Sequence, residues 1–165
     1  MKVLILAAGY ATRLYPLTLD RPKSLLPVAG KPMIDYVLDN LKTIPEIDLV
    51  YVVTNEKFAG HFQAWADDYK TRADINFKVI NDKSTDDTNK LGAIGDLNFV
   101  LEQEEVDDDM IVVAGDKLFD RSLEDFGKTC VEKNAAVIGT YDVGDLDAAK
   151  KYSVIEKDES GKLTS

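Results

Sequence analysis

Val3-Leu4-Ile5-Leu6-Ala7-Ala8 is an unbroken apolar run near the start of the chain, and Gly9 and a polar stretch follow it directly. A strand that is apolar at every position is typical of the centre of a parallel sheet, where both faces are covered. Residues 48–54 (DLVYVVT) and 110–114 (MIVVA) have the same character. These runs predict a buried, mostly parallel sheet.

Segments with helical spacing alternate with the apolar runs. Helices are predicted over residues 33–41, 58–69, 91–101 and 123–133, and strands over residues 3–8, 48–54, 75–80, 110–114 and 135–141, with strand fragments at 152–156 and from 163 onwards. Alternation of strands and helices favours an α/β domain with right-handed crossovers between parallel strands. We therefore predict one α/β domain over residues 1–165.

Composition and charge narrow the classes of function. The chain has 165 residues, of which 45% are apolar and 30% are charged, and its formal net charge is −10. Non-specific nucleic-acid binding needs Lys and Arg to neutralise phosphates, so we do not expect so acidic a chain to bind nucleic acid. No stretch is long and apolar enough for a transmembrane helix, so no membrane association is expected either. These features predict a cytoplasmic protein.

Small residues and one arginine fill the loop after the first strand. Ala7, Ala8, Gly9 and Ala11 let another group approach the backbone closely, and successive backbone N–H groups in such a turn can form an anion site. Arg13 adds a planar guanidinium that matches phosphate oxygens. The spacing is neither that of a P-loop nor that of a dinucleotide-binding G-x-G-x-x-G. The loop indicates phosphate binding, and the alternative is a tight turn with a surface arginine.

Two neighbouring stretches carry a resemblance to a known family. They are LAAGYATRLYPLT at residues 6–18 and DRPKSLLPVAGKPMI at residues 20–34. Both closely resemble the sugar-phosphate nucleotidyltransferases, such as the glucose-1-phosphate thymidylyltransferases and the UTP-glucose-1-phosphate uridylyltransferases. The resemblance implies a three-layer Rossmann-like nucleotidyltransferase fold that this chain covers incompletely at its C-terminus.

The resemblance also implies roles for residues of these stretches. A nucleoside triphosphate would be held by the backbone of the small residues, while Arg13 and Lys23 would bind its phosphates and act as catalytic residues. The expected nucleotide contacts in this region are Leu6, Ala7, Ala8, Gly9, Thr12, Arg13 and Lys23.

Asp116 follows the predicted strand at residues 110–114 and the residue Gly115. If this strand lies near the first one, Asp116 points into the same crevice as the phosphate loop, because ligands of such sheets bind beyond the carboxyl ends of the strands. A carboxylate beside triphosphate oxygens is a usual way to hold Mg²⁺, and a helix N-cap is the alternative role. The resemblance implies that Asp116 is a catalytic residue and the ligand of an Mg²⁺ cofactor, although Lys117 stands where family members often carry Asn.

Residues 89–97 (NKLGAIGDL) resemble the base-contacting segment of the same family. The resemblance implies that Gly92 lets the base approach the backbone. Asn81, just past the third predicted strand, is a candidate to read the edge of the base. The polar insertion at residues 82–89 leaves the identity of the base open.

These expectations define a reaction in which a phosphate oxygen of a sugar 1-phosphate attacks the α-phosphorus of a nucleoside triphosphate and pyrophosphate leaves. Two alternatives stay open: a cytidylyltransferase for phosphocholine or another alcohol phosphate, and a non-catalytic nucleotide-binding or regulatory module. The expected partners are a nucleoside triphosphate and a phosphorylated small-molecule acceptor, and a homo-oligomer is left open.

The last residues limit this expectation. The chain ends where the family's Glu-Lys-Pro element should begin, and Ser153 replaces the family's Gly in the Tyr-Gly-Val motif. We therefore expect the acceptor half of the site to be missing or altered, and turnover by this chain to be poor or absent.

Overall fold

A computed structural model describes residues 1–44 and 46–164. The chain forms two compact units, Met1–Lys128 and Thr129–Ser165. Its elements in chain order are β1 (Lys2–Leu6), β2 (Pro27–Val28), β3 (Lys31–Pro32), α1 (Met33–Leu41), β4 (Leu49–Thr54), α2 (Ala59–Lys70), β5 (Phe77–Asn81), α3 (Gly92–Gln103), β6 (Met110–Ala114), α4 (Glu124–Lys133) and α5 (Leu146–Ala149). The prediction of a single domain over residues 1–165 stays a prediction.

Four parallel strands form the central sheet of the first unit, in the order β5-β4-β1-β6. Val3, Leu4 and Ile5 are fully buried in β1, because this strand has a neighbour on each side and helices on each face. The prediction of an α/β fold with a mostly parallel sheet is confirmed. The strands predicted at 3–8, 48–54, 75–80 and 110–114 all form, with bounds that shift by no more than two residues.

Helices cover both faces of this sheet and give it three layers. On one face α1 and α2 pack against Val3, Ile5 and Val52 through the side chains Ile34, Val37, Leu38, Leu41, Phe62, Trp65, Ala66 and Tyr69. On the other face Val100 of α3 packs against Leu4 and Val53. Alternate residues of β1 thus pack into the cores on opposite faces of the sheet, which is why the strand is apolar at every position.

The order of the strands creates a switch point. The chain moves outward from β1 to β4 and β5 on one side, and then returns to place β6 on the other side of β1. The connection after β1 leads to the strand on one side of it, and the later connection from β5 leads to β6 on its other side, so a crevice opens beyond the carboxyl ends of β1 and β6. Leu6 pairs with Ala114 in this register, and the two following loops therefore start side by side.

The described part of the second unit, residues 129–164, differs from the sequence-based prediction. The strand predicted at 135–141 does not form, nor do the strand fragments at 152–156 and from 163 onwards, where a single antiparallel bridge joins Lys157 to Leu163. Ile138 is 50% exposed and Tyr141 is 86% exposed. The pattern that predicted a strand is present, but a strand needs a hydrogen-bonded neighbour, and residues 135–141 pair with none in the described ranges.

None of the helices in residues 1–44 and 46–164 is both long enough and apolar enough to cross a membrane.

Candidate functional site

A cleft of about 560 Å³ opens at the carboxyl ends of β1 and β6, within the first unit. Such a volume suits a small-molecule ligand. Six of the predicted nucleotide contacts and the predicted metal ligand line it together: Leu6, Ala7, Gly9, Thr12, Arg13, Lys23 and Asp116. The further lining residues are Tyr10, Ala11, Leu14, Ser24, Asp87 and Lys90.

The loop after β1 is fixed from within by one left-handed residue and one buried hydroxyl. Ala11 has a φ of 49°, and the 3-10 turn Thr12–Leu14 follows it. The Leu14 backbone N–H donates to the Ala11 carbonyl at 2.9 Å, and the Thr18 hydroxyl donates to the same oxygen at 2.8 Å. Thr18 is fully buried, so both donors hold the turn that presents Arg13.

Asn55 and Tyr10 connect the same loop to its neighbours. The Asn55 amide donates to the Ala8 carbonyl at 2.8 Å, and its oxygen accepts the Phe58 backbone N–H at 3.1 Å. The Tyr10 hydroxyl donates to the Ser84 carbonyl at 3.0 Å. Asn55 is fully buried, so its amide is shielded from water and depends on these protein partners for its hydrogen bonds. Ala8 does not line the cleft, and its carbonyl anchors the loop to Asn55; its contact with a nucleotide stays a prediction.

Gly115 explains why the Lys23 loop can reach β6. A Cβ atom at this position would lie 2.9 Å from the Ser24 Oγ and 3.0 Å from the Ile5 Cγ2. Ser24 is buried, so the loop packs directly on the bare backbone of Gly115. This close approach places Lys23 beside Asp116, with 2.6 Å between the lysine Nζ and the Asp116 Oδ2.

The charges of the cleft differ from those of the whole chain. Arg13, Lys23 and Lys90 supply three cations, and Asp87 and Asp116 supply two carboxylates, whereas the chain as a whole carries −10. The lysines are paired, Lys23 with Asp116 at 2.6 Å and Lys90 with Asp87 at 2.8 Å. Arg13 is exposed and has no ion-pair partner among the described residues. A guanidinium in this state can bind an anion without first losing a protein partner.

The loop after β5 brings Asp87 and Lys90 to the cleft and is built by its own side chains. The Asn89 oxygen accepts the backbone N–H groups of Thr85 and Asp86 at 3.0 and 3.1 Å. The Asp86 carboxylate accepts the Thr88 backbone N–H at 2.8 Å. The polar insertion of the sequence is therefore an ordered wall of the cleft.

Asn81 and Gly92, the two predicted base contacts, lie outside the lining of the cleft. The Asn81 amide donates to Glu56 at 2.5 Å, and its oxygen accepts the Lys83 backbone N–H at 2.8 Å. Gly92 begins α3 with a φ of +76° and open space around it, a backbone conformation that side chains disfavour. Their contact with a base stays a prediction.

Asp116 fits the way that Mg²⁺ is held beside phosphates. The ion commonly takes one or two protein carboxylates, and water and phosphate oxygens supply the rest. Asp116 is about one-third exposed on the wall of the cleft, which leaves its carboxylate accessible. Within residues 1–44 and 46–164 no three His, Cys, Asp or Glu side chains gather into a metal cage.

A parallel sheet with helices on both faces and a ligand cleft at its switch point is the architecture of Rossmann-like proteins. The chain belongs to the Nucleotidyl transferase family, which it matches over residues 2–165. It is 37% identical over 119 residues to the "Putative mannose-1-phosphate guanyltransferase" of Sulfolobus acidocaldarius, covering 70% of this chain and 30% of the relative. It is 30% identical over 165 residues to the UTP–glucose-1-phosphate uridylyltransferase AglF of Haloferax volcanii, covering 99% of this chain and 63% of the relative.

A solved structure shares the fold. The crystal structure of a "Putative Glucose-1-Phosphate Thymidylyltransferase" from Bacillus anthracis, in complex with sucrose, superposes with a TM-score of 0.67 at 27% identity. The match covers 80% of this chain and 50% of the other. This chain spans less than two thirds of the length of these two curated relatives.

Sequence reasoning missed several residues that build the cleft. Asn55 and Ser24 are buried polar residues without a motif of their own, and only the fold shows that they hold the loops. Asp87 lies in the polar insertion at residues 82–89, and Lys90 lies in the segment that resembles the family's base-contacting segment, but neither side chain was predicted to line the site. A charge pair three residues apart was the available signal, but such pairs are common on surfaces.

Proposed function

We propose that this protein transfers a nucleoside monophosphate from a nucleoside triphosphate to a sugar 1-phosphate and releases pyrophosphate. The observation that carries the proposal is the cleft at the switch point, where Arg13, Lys23 and Asp116 converge. All three were predicted from sequence as catalytic. Two relatives are named for mannose 1-phosphate and glucose 1-phosphate, which supports a sugar 1-phosphate as the acceptor.

Arg13 and Lys23 would act by binding and by neutralising charge. The Arg13 guanidinium can donate to two phosphate oxygens at once. The 3-10 turn Thr12–Leu14 fixes the position of the Arg13 backbone. Lys23 would exchange its contact with Asp116 for a phosphate oxygen. The acceptor phosphate is already anionic at neutral pH, so no side-chain nucleophile is required, and positioning is the main contribution of the protein.

Asp116 is the residue that would hold Mg²⁺, which when bound would offset the negative charge of the phosphates. The exposed carboxylate can receive such an ion once Lys23 turns to the substrate. A cytoplasmic location goes with a nucleoside triphosphate donor and is part of the proposal.

The test is a pyrophosphate-release assay with a panel of nucleoside triphosphates, each with glucose 1-phosphate, mannose 1-phosphate and phosphocholine. Release that requires a sugar 1-phosphate supports the proposal. Release with phosphocholine instead indicates an alcohol-phosphate cytidylyltransferase. Nucleotide binding without release with any acceptor indicates a non-catalytic nucleotide-binding module.

A further inference from the structure

Two aspartates that do not line the cleft are buried. Asp82 directly follows β5, and Asp96 lies in the second turn of α3. Each is only 5% exposed, and neither forms a salt bridge with any cation in the part of the chain that the structure describes. Buried carboxylates without a cation are expensive, because each has left water without a compensating charge.

Each carboxylate has one buried oxygen that lacks a hydrogen-bond donor among the described residues. The Asp82 Oδ1 accepts the Ser84 backbone N–H and the Ser84 hydroxyl, both at 2.7 Å. The Asp82 Oδ2 and the Asp96 Oδ1 are buried and have no hydrogen-bond donor among the described residues. Asp82 is also the group that acts on Asp96, both through its charge and through a side-chain hydrogen bond that raises the pKa of Asp96. Two ionised carboxylates can only repel one another there, whereas one proton between them gives each a partner.

Asp82 is also connected to the nucleotide loop. Its backbone N–H donates to the Thr54 carbonyl at 2.8 Å. The Ser84 carbonyl accepts the Tyr10 hydroxyl at 3.0 Å and the Glu56 backbone N–H at 3.0 Å. A chain of contacts therefore runs from Asp96 on α3 through Asp82 and Ser84 to Tyr10 on the wall of the cleft.

We propose that Asp82 and Asp96 share one proton, and that the protonated pair holds the start of α3 and the loop after β5 against the nucleotide loop. Both residues are positioning residues, because neither lines the cleft. The pair is a proton-dependent latch: without the proton, two buried charges push α3 away from Asp82 and displace the loop that carries Asp87 and Lys90. The effect on nucleotide binding rests on the proposed function, whereas the shared proton does not.

The electrostatics set the pH range of this latch. Burial first, and then the charge of Asp82 and the hydrogen bond with it, raise the pKa of Asp96 from its ordinary value of 3.8 to about 7. Tyr10 faces Asp82, Asp86 and Asp87, and burial raises the pKa of its phenol. Burial and the neighbouring Asp82 both act against a second charge on Asp96.

The sign of the pH dependence follows from linkage. The folded protein holds a proton on the pair that the unfolded chain releases above about pH 4. The stability that the proton confers is therefore complete below about pH 4 and is lost as the pH rises to about 7. Over this window the unfolding equilibrium constant should rise by up to about tenfold per pH unit.

The experiment measures urea unfolding of the whole chain from about pH 5 to about pH 9 for the wild type, Asp96→Asn and a control. The amide that this substitution introduces can donate to Asp82 without a titratable proton, so Asp96→Asn should gain stability relative to the wild type as the pH rises to about 7. Asp74→Asn, at an exposed aspartate before β5, should follow the wild-type curve. A carboxyl-carbon NMR titration of wild type and Asp96→Asn should assign a pKa near 7 to the pair.

Binding of UTP, GTP, dTTP and CTP over the same pH range tests the positioning role. The triphosphate titrates equally for all variants, so the comparison isolates the protein. We expect wild type and Asp74→Asn to lose about tenfold in affinity, for any nucleotide that binds, between about pH 6 and about pH 8.5 relative to Asp96→Asn.

Identical stability curves for Asp96→Asn and the wild type, or an ordinary pKa at both aspartates, would overturn the shared proton. A stability curve that requires added Mg²⁺ would assign the pair to a cation and would also overturn it. The expected stability curve with equal nucleotide affinities would overturn the positioning role alone. Absence of nucleotide binding at every pH would refute the proposed function and the positioning role with it, while the unfolding curves would still decide the shared proton.

Discussion

Two side-chain pairs that contain aspartate, Asp116 with Lys23 and Asp82 with Asp96, are built in opposite ways. Asp116 pairs with Lys23 at 2.6 Å, and both side chains are about one-third exposed. Asp82 pairs with Asp96, both are 5% exposed, and no cation pairs with either in the described ranges. Opposite charges at the open position can exchange partners with a ligand at little cost. Like charges at the closed position need a proton to stay together. The first pair suits substrate binding, and the second suits the support of the fold around it.

The largest expected effect lies at the open pair. Asp116→Asn should reduce pyrophosphate release on the order of 100- to 1000-fold, because it removes the carboxylate that would hold Mg²⁺. It should change the free energy of unfolding by only about 0–1 kcal/mol, as exposed ion pairs contribute little. Asp120→Asn, at an exposed aspartate four residues later, is the matched control. Unaltered Mg²⁺-dependent release by Asp116→Asn would show that the metal assignment is wrong.

Gly115→Ala tests what brings the open pair together. The new methyl group would press on the Ser24 side chain and on Ile5, which should cost about 1–3 kcal/mol of stability and move Lys23 away from Asp116. Gly60→Ala in α2 is the control, because nothing lies within 4 Å of its added Cβ; it should be neutral or stabilise the protein by up to about 1 kcal/mol. Urea unfolding measures both. Equal stabilities for the two variants would contradict the close packing at Gly115.

Asn55→Ala tests the loop anchor that stands between the two pairs. It leaves the Ala8 carbonyl and the Phe58 N–H without their partner, and it should cost about 1–3 kcal/mol. Unlike Asp116→Asn, it should lower stability and nucleotide affinity together. Asn98→Ala, at an exposed position of α3, should leave both unchanged within about 0.5 kcal/mol. A loss of affinity at full stability would mean that Asn55 contacts the ligand itself.

The smallest expected effect concerns the second open ion pair. Asp87→Ala frees Lys90 in the cleft and should raise the affinity for inorganic pyrophosphate about two- to fivefold, with less than about 0.5 kcal/mol change in stability. Lys90→Ala should lower that affinity. Calorimetric titration of pyrophosphate into each variant measures the change, and a gain in affinity with Lys90→Ala would show that Lys90 does not face the bound phosphates.

The comparison of the pairs also shows how far sequence reasoning reaches. Arg13 and Lys23 could be predicted because they lie in the two stretches that resemble the family, and Asp116 because it comes just after an apolar strand. The order of the strands then brings the three residues together. The pair of Asp82 and Asp96 has no such signal, since Asp96 lies on a helix whose face is set only by packing. The strand predicted at residues 135–141 failed for a related reason: its pattern was right, but a pattern does not supply a neighbouring strand.

The central claim is that the cleft at the switch point binds the phosphates of a nucleoside triphosphate. The most direct test is calorimetric titration of UTP, dTTP, GTP and CTP, with Mg²⁺, into the wild type, Arg13→Ala and Arg21→Ala. Arg21 lies on the same loop region but does not line the cleft, so it controls for the loss of one positive charge. We predict that at least one nucleotide binds the wild type and Arg21→Ala alike, and about 10- to 100-fold more weakly to Arg13→Ala. Equal affinity of all three proteins for that nucleotide would contradict the claim.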